Sequence, residues 1–330
     1  MKAGREARLP PGPPLLQVVV DTEEEFDWGA PFDRGCVGVT AMQAQHGMQA
    51  MLSGFGLVPT YVVDYPVAST ASSVAVLKGF LDARQCLIGA HLHPWVSPPH
   101  EEEVSARNSY PGNLGAALER EKLSVLTEAI EGSFGVRPVI YKAGRYGVGA
   151  GTAGTLRALG YEIDVSVVPH SDFGGDGGPD FRGSPDRPYW VDELFEIPLS
   201  RGFSGRLAGR GSRLYPAVES GWGQRARLGG MLARLGLLER ATLTPEGVDA
   251  GANRRLIDAL LGQGHRVLTM TYHSPSLAPG HTPYVRTEAE LVAFHENVRR
   301  TVEYFFEIGG RPTTPIEVRD MALAAEGRRA

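Results

Sequence analysis

The chain has 330 residues, 42% of them hydrophobic and 22% charged, with a net charge of -5. That is the balance of a globular protein able to bury a sizeable core. No basic stripe is present to follow a phosphate backbone, which excludes nucleic acid as a partner, and no apolar run reaches the length of a membrane span. Cys36 and Cys86 lie in no metal-ligand spacing and make no disulfide framework.

The chain opens on charged residues and a Pro-rich stretch, then the apolar run 15–20. That run ends in acid and is too short for the apolar part of a signal peptide, so a cytoplasmic location is expected. It reads as the first strand. Further strands are expected at 59–63, 86–93, 139–142, 163–168, 194–199 and 266–272, about seven in all. Helical patterns fall between them, at 114–130 and at 152–159 with Gly160 as a C-cap. This alternation argues for βαβ units and an α/β barrel. Residues 169–187 read as a long loop, and 202–240 as an insertion with one or two helices. Thr287 and Glu290 form a capping box ahead of Leu291, Phe294, Val298, Val302 and Phe305 at helical spacing. The expectation is a single domain over 1–330, with a frayed tail at 322–330.

Barrel enzymes build their sites at the C-terminal ends of several strands, and the reactive side chains of this sequence gather there. In VVVDTEEEF, alternation points Asp21 and Glu23 the same way, past a run that is otherwise buried. Two carboxylates there suit metal binding plus a general base; the competing reading is a solvated acidic cap. In GAHLHPW, His91 and His93 share a strand face by the same rule. Two imidazoles with one carboxylate hold zinc and leave a position open for water. His100, beyond Pro98 and Pro99, reads as a loop residue.

In YKAGRYG, Lys142 and Arg145 offer a cation that would hold Asp21 ionised, unless both lie in a surface turn. Asp164 is a lone acid in an apolar strand and needs a partner if buried. His273, where the last strand ends, would give a proton to a leaving group, unless its neighbours merely satisfy it. Trp95, Tyr110, Tyr146 and Trp190 offer aromatic faces for a sugar, or else belong to the core.

In this order, the segments resemble the motifs of the NodB-type polysaccharide deacetylases, carbohydrate esterase family 4. The resemblance spans about 15–317 outside the insertion. By that match Asp21 is the catalytic base and Glu23 a metal ligand. GAHLHPW is similar to the motif that supplies the two metal histidines. The family separates them by three residues; here Leu92 alone stands between His91 and His93, and His100 is the alternative ligand. YKAGRYG resembles the motif whose arginine pairs with the base, with Lys142 on the arginine position and Arg145 three residues later. LGYEIDVSVVP resembles the fourth motif, in which Asp164 would orient the catalytic histidine, and TYHSPSL the fifth, making His273 the general acid. HLHPW, NSYPGNL, YKAGRYG and YHSPSLAPG are similar to a cytoplasmic WalW-like subgroup linked to cell-surface or exopolysaccharide loci. Trp95, Asn108, Tyr110 and Tyr146 within these phrases are expected to contact substrate.

The resemblance implies a distorted (β/α) barrel of the deacetylase type and a divalent ion, expected to be Zn2+. It implies a metal-dependent hydrolase that removes an acetyl group from an N-acetylated sugar or glycoconjugate. Two other readings stand beside it. One keeps the metal site but acts on a small cyclic amide or ureide, which a narrow closed pocket would favour. The other is a non-catalytic carbohydrate-binding protein with a degenerate site. The sequence fixes no oligomeric state.

Overall fold

The computed structural model describes residues 4–328; the first three residues of the charged start and the last two of the expected frayed tail lie outside them. Seven strands run parallel in one curled sheet: β1 (Leu15–Thr22), β2 (Thr60–Val63), β3 (Leu87–Leu92), β4 (Ile140–Ala143), β5 (Ile163–Asp164), β6 (Leu194–Glu196) and β7 (Val267–His273). Their order across the sheet is β6-β5-β4-β3-β2-β1-β7. Nearly all their residues are buried, as in a parallel sheet covered by helices. Three two- or three-residue strands extend the sheet: Tyr189–Val191 beside β6, Arg5–Glu6 beside that, and Arg311–Pro312 beside the start of β1. The expected distorted α/β barrel is therefore the observed architecture. β5 is shorter than expected because regular pairing stops after Asp164.

The curl closes irregularly. Beyond β6 the chain reaches β7 through Ser200, whose N–H meets the Thr269 carbonyl at 3.4 Å while the Thr269 N–H donates to Ser200 Oγ at 2.8 Å. Leu243 then donates to the Ser200 carbonyl and accepts from the Thr271 N–H, at 2.7 and 3.1 Å. Between Ser200 and Leu243 the chain leaves the seam as a hairpin, Arg201–Ser204 paired antiparallel with Glu239–Thr242. Three short helices cap that hairpin, Gly211–Glu219, Gly221–Arg225 and Leu228–Arg234. The insertion expected at 202–240 is thus a hairpin with helices.

Two apolar clusters lie either side of the sheet. Leu16, Val18, Val20, Tyr61, Leu92, Tyr141 and Met270 face outward against the helices. Leu15, Val19, Val62, Ile140, Ile163, Val165, Phe195 and Val267 fill the interior. The helix Pro315–Ala325 seals that interior with Val318, Ala322 and Leu323. Here the expected frayed tail is corrected. Thr314 and Glu317 make a capping box, and three buried apolar side chains hold the helix through Ala325. The helix Glu288–Glu307 carries the expected Thr287–Glu290 capping box. Among the described residues no helix is long and apolar enough to cross a membrane.

Candidate active site

The inward face of each strand sets the site. On β1 the interior side chains run Leu15, Gln17, Val19 and then Asp21, so the acid stands one layer above the apolar plug. Lys142 follows Ile140 on β4 in the same way, and His273 lies beside Asp21 on β7. Lys142 is fully buried and donates to both Asp21 oxygens, at 2.5 and 2.7 Å, and to Thr271 Oγ1 at 2.9 Å. Burial alone would push the Asp21 carboxyl up. The charges of Lys142 and His273 outweigh it and hold Asp21 below the usual carboxylate range, ionised at neutral pH.

Opposite stand Glu23, His91 and His93, all buried. Glu23 Oε2 lies 3.4 Å from His91 Nε2 and 3.5 Å from His93 Nε2. His91 Nδ1 lies 2.9 Å from the Lys142 carbonyl, which can only accept, so that nitrogen carries the proton and Nε2 presents a lone pair. His93 is fixed likewise by Glu24, whose Oε2 accepts from Nδ1 at 2.7 Å. Burial lowers the pKa of both rings, that of His93 to about 4, so both are neutral, the ligand form.

These three side chains fit a metal ion. Donors about 2.0–2.1 Å from a tetrahedral ion stand roughly 3.3–3.4 Å apart, close to the spacing seen, and Glu23 Oε1 is buried without a hydrogen-bond partner. Burial pushes the Glu23 carboxyl up to about 7 against the pull of His273 and His91; a cation at this point would return it to the ionised form. A second acidic group, Glu24, Asp64 and His93, lies behind the first. Asp64 caps the helix Tyr65–Ser69 and binds the Glu24 N–H at 2.7 Å, so this group reads as support for His93.

His273 completes the site. Its Nε2 is 3.5 Å from Asp21 Oδ2, and Glu246 holds its other side, accepting from Nδ1 at 2.7 Å and from the backbone N–H at 3.0 Å. Burial would lower the pKa of this imidazole. The carboxylates of Glu246, Glu23 and Asp21 overcome that and raise it to about 10, so it is protonated at neutral pH.

The cleft over these groups measures 310 Å³ and is walled by seven aromatic rings: Phe26, Trp28, Phe32, Tyr110, Tyr146, Phe173 and Tyr284. Arg145 and Tyr146 both adopt left-handed backbone, φ 53° and 60°, a conformation that costs L-residues about 1–2 kcal/mol each. The turn brings Arg145 and Tyr146 to the cleft wall. It also passes so near the ligands that a Cβ at Gly144 would collide with the Leu92 carbonyl and the His93 ring.

No protein-family model and no curated protein matches the chain. Solved structures do. One is a candidate polysaccharide deacetylase from Mycobacterium smegmatis, 17% identical, with 95% of this chain and 97% of that one covered and a TM-score of 0.47. Another is a pseudoenzyme of carbohydrate esterase family 4 from Bacillus anthracis, 9% identical, with 97% and 68% covered and a TM-score of 0.47. A third is a family 4 carbohydrate esterase from Streptomyces lividans in complex with acetate, 12% identical, with 92% and 95% covered and a TM-score of 0.43.

Several expected contacts are not made. Lys142, and not Arg145, pairs with Asp21. Arg145 instead donates to Ser109 Oγ at 2.6 Å and lies over the Tyr110 ring at 4.1 Å, in the cleft wall. Asp164 does not reach His273. Ile163 and Val165 point into the barrel, so Asp164 points outward, where Ser166 donates to it from both its backbone N–H and its hydroxyl. Glu246 occupies the place expected of it.

Of the expected substrate contacts, Tyr110 and Tyr146 line the cleft. Trp95 is buried behind His93, stacked on it at 4.2 Å. Asn108 spends its amide on the Glu103 carbonyl at 3.0 Å. Trp190 packs in the barrel interior, and His100 is exposed.

The buried Asp21–Lys142 pair yields a stability prediction. Lys142→Met removes the nearer counter-charge of a buried carboxylate and leaves only His273, a change that costs up to about 3–5 kcal/mol at buried pairs. The loss should be full at neutral pH, where Asp21 is ionised, and shrink as acid protonates it. Denaturant melts at several pH values measure this; a variant that melts with the wild type throughout would refute it.

Proposed function

We propose that the protein is a metal-dependent amide hydrolase that removes the acetyl group from an N-acetylated sugar or glycoconjugate. One observation carries the reading: an ionised carboxylate, Asp21, and a protonated imidazole, His273, face three converging donors across one aromatic-walled cleft. Glu23, His91 and His93 would hold the ion, with zinc favoured by two imidazoles and one carboxylate. An ion held there would supply Lewis-acid chemistry, polarising the acetamide carbonyl and lowering the pKa of water.

The chain's own groups do the proton work. Asp21, kept ionised by Lys142, takes the proton of the attacking water. His273, kept protonated by Glu246, gives a proton to the departing sugar nitrogen, which leaves as an amine. The aromatic walls exclude water and stack on the sugar ring. The surface-polysaccharide role implied by the sequence resemblance belongs to this same proposal.

The test is acetate release from a panel of N-acetyl amino sugars by metal-loaded protein, before and after chelation. Release that stops on chelation and returns with Zn2+ supports the reading; no release from any N-acetyl sugar sinks it. The 310 Å³ cleft is small, and that favours keeping the cyclic amide or ureide as the second reading. Ring opening of a hydantoin without deacetylation would choose it.

Glu246 gives a sharper check. An amide nitrogen leaves poorly unless protonated, whereas an activated aryl ester needs no acid. Glu246→Gln should slow amide cleavage about 10- to 100-fold, the usual effect of losing an orienting partner, and slow aryl ester cleavage far less. Asp164→Asn should leave the ratio of the two rates unchanged. Equal losses on both substrates in Glu246→Gln would remove His273 from the acid role.

A further inference from the structure

The hairpin inserted at the barrel seam carries two arginines that the proposed reaction does not use. Arg201 stands opposite Thr242 and Arg240 opposite Phe203. Both arginines line a cavity of 250 Å³ together with Thr242, Thr244 and Thr271. Tyr146, His273 and Tyr284 wall both this cavity and the catalytic cleft, so the two adjoin at the general acid.

The arginines differ in how they are satisfied. Arg240 donates to the His170 carbonyl at 2.6 Å, pairs with Glu219 and lies over the Tyr215 ring at 4.2 Å. Arg201 donates to Thr242 Oγ1 at 2.7 Å, but its buried Nε has no hydrogen-bond partner. Glu246, the acid in this wall, is committed to His273 and Ser276. Burial and the charge of Arg240 pull the Arg201 pKa down to about 10, against Tyr146.

Three hydroxyls share this lining. Thr242 accepts from Arg201, Thr244 from the Glu246 N–H and Thr271 from Lys142. Each hydroxyl keeps its own hydrogen to donate. A guanidinium with an unused N–H and three donor hydroxyls make a site for a tetrahedral oxyanion.

We propose that this cavity is a subsite for a phosphate group carried by the substrate, so that the amide is cleaved from a phosphorylated or diphosphate-linked N-acetyl sugar. The sugar half of this inference rests on the deacetylase reading; the phosphate half does not. It also gives the insertion a purpose, because both arginines belong to its two strands.

The test is calorimetric titration of the full-length, metal-loaded protein with inorganic phosphate and with diphosphate. Binding is expected, and Arg201→Met should weaken it about 10-fold or more, as loss of a hydrogen bond to a charged group does. Arg201→Lys should keep part of it, and Arg234→Met, an exposed change on the same insertion, should keep all of it. Wild-type protein that binds neither ion overturns the proposal whatever the variants do. Undiminished binding by folded Arg201→Met also overturns it, since the anion would then sit on the metal. Tighter binding of glucuronate than of phosphate overturns the choice of phosphate. Acetate release from neutral and from phosphorylated N-acetyl sugars, run alongside, separates the two readings: release without phosphate binding defeats this inference alone, while Arg201-dependent binding without cleavage of either kind of sugar upholds the subsite and defeats the deacetylase reading.

Discussion

His91→Ala is expected to strip the metal and abolish measurable turnover while the fold persists. The reasoning starts from His91's two nitrogens. Nδ1 is tied to the Lys142 carbonyl and Nε2 points at Glu23, so the ring has one free lone pair and one place to use it. Removing it leaves two donors, Glu23 and His93, where a stable zinc site uses at least three protein ligands. Elemental analysis after dialysis measures the loss, and circular dichroism measures the fold. Full metal occupancy in the folded variant would mean that the ion, if bound at all, sits elsewhere, with the group Glu24, Asp64 and His93 as the next place to look.

Asp21→Asn should produce the opposite pattern. The amide keeps the shape of the side chain and its one oxygen can still accept from Lys142, but it cannot take a proton. Metal content should hold while amide hydrolysis falls on the order of 10²- to 10⁴-fold, the usual share of general-base catalysis. The metal should stay because Glu23, His91 and His93 approach one another without help from Asp21. If the ion leaves together with the activity, Asp21 is a ligand and the base must be sought elsewhere. Steady-state rates on an N-acetyl sugar, paired with metal analysis of the same sample, decide between the two outcomes.

Much of this arrangement was legible in the strands. Period-two alternation places Asp21 with Glu23, and His91 with His93, on inward faces, and the structure brings Glu23 and both histidines together. One intervening residue between the histidines is enough because both side chains leave the same face of the chain. The same rule could not place Asp164: with apolar neighbours on both sides, either face was open to it, and only the register of β5 against β4 turns it outward. Glu246 could not be read at all. It follows the inserted hairpin, in a turn with no strand pattern, and it reaches His273 only because the chain returns to the seam there. Glu24 and Asp64 carried weak signals, one inside an acidic run and the other as a helix cap beside Pro66. Trp95 and Asn108 sit in phrases with the right neighbours. Whether such a side chain faces the cleft or the packing behind a ligand depends on loop geometry that spacing does not encode.

The seam between β6 and β7 has an evolutionary consequence. Ser200 and Leu243 complete the barrel by themselves, so everything from Arg201 to Thr242 hangs from two adjacent points on a closed frame. Glu23, His91 and His93 lie on β1 and β3 or just beyond their ends, and owe nothing to that graft. A lineage could therefore lengthen, shorten or replace the hairpin and change what the neighbouring cavity accepts, with no need to rebuild the reaction centre. On the proposed reading, recognition and chemistry can drift at different speeds, and a library that randomises the hairpin alone would vary the neighbouring cavity while leaving Glu23, His91 and His93 untouched.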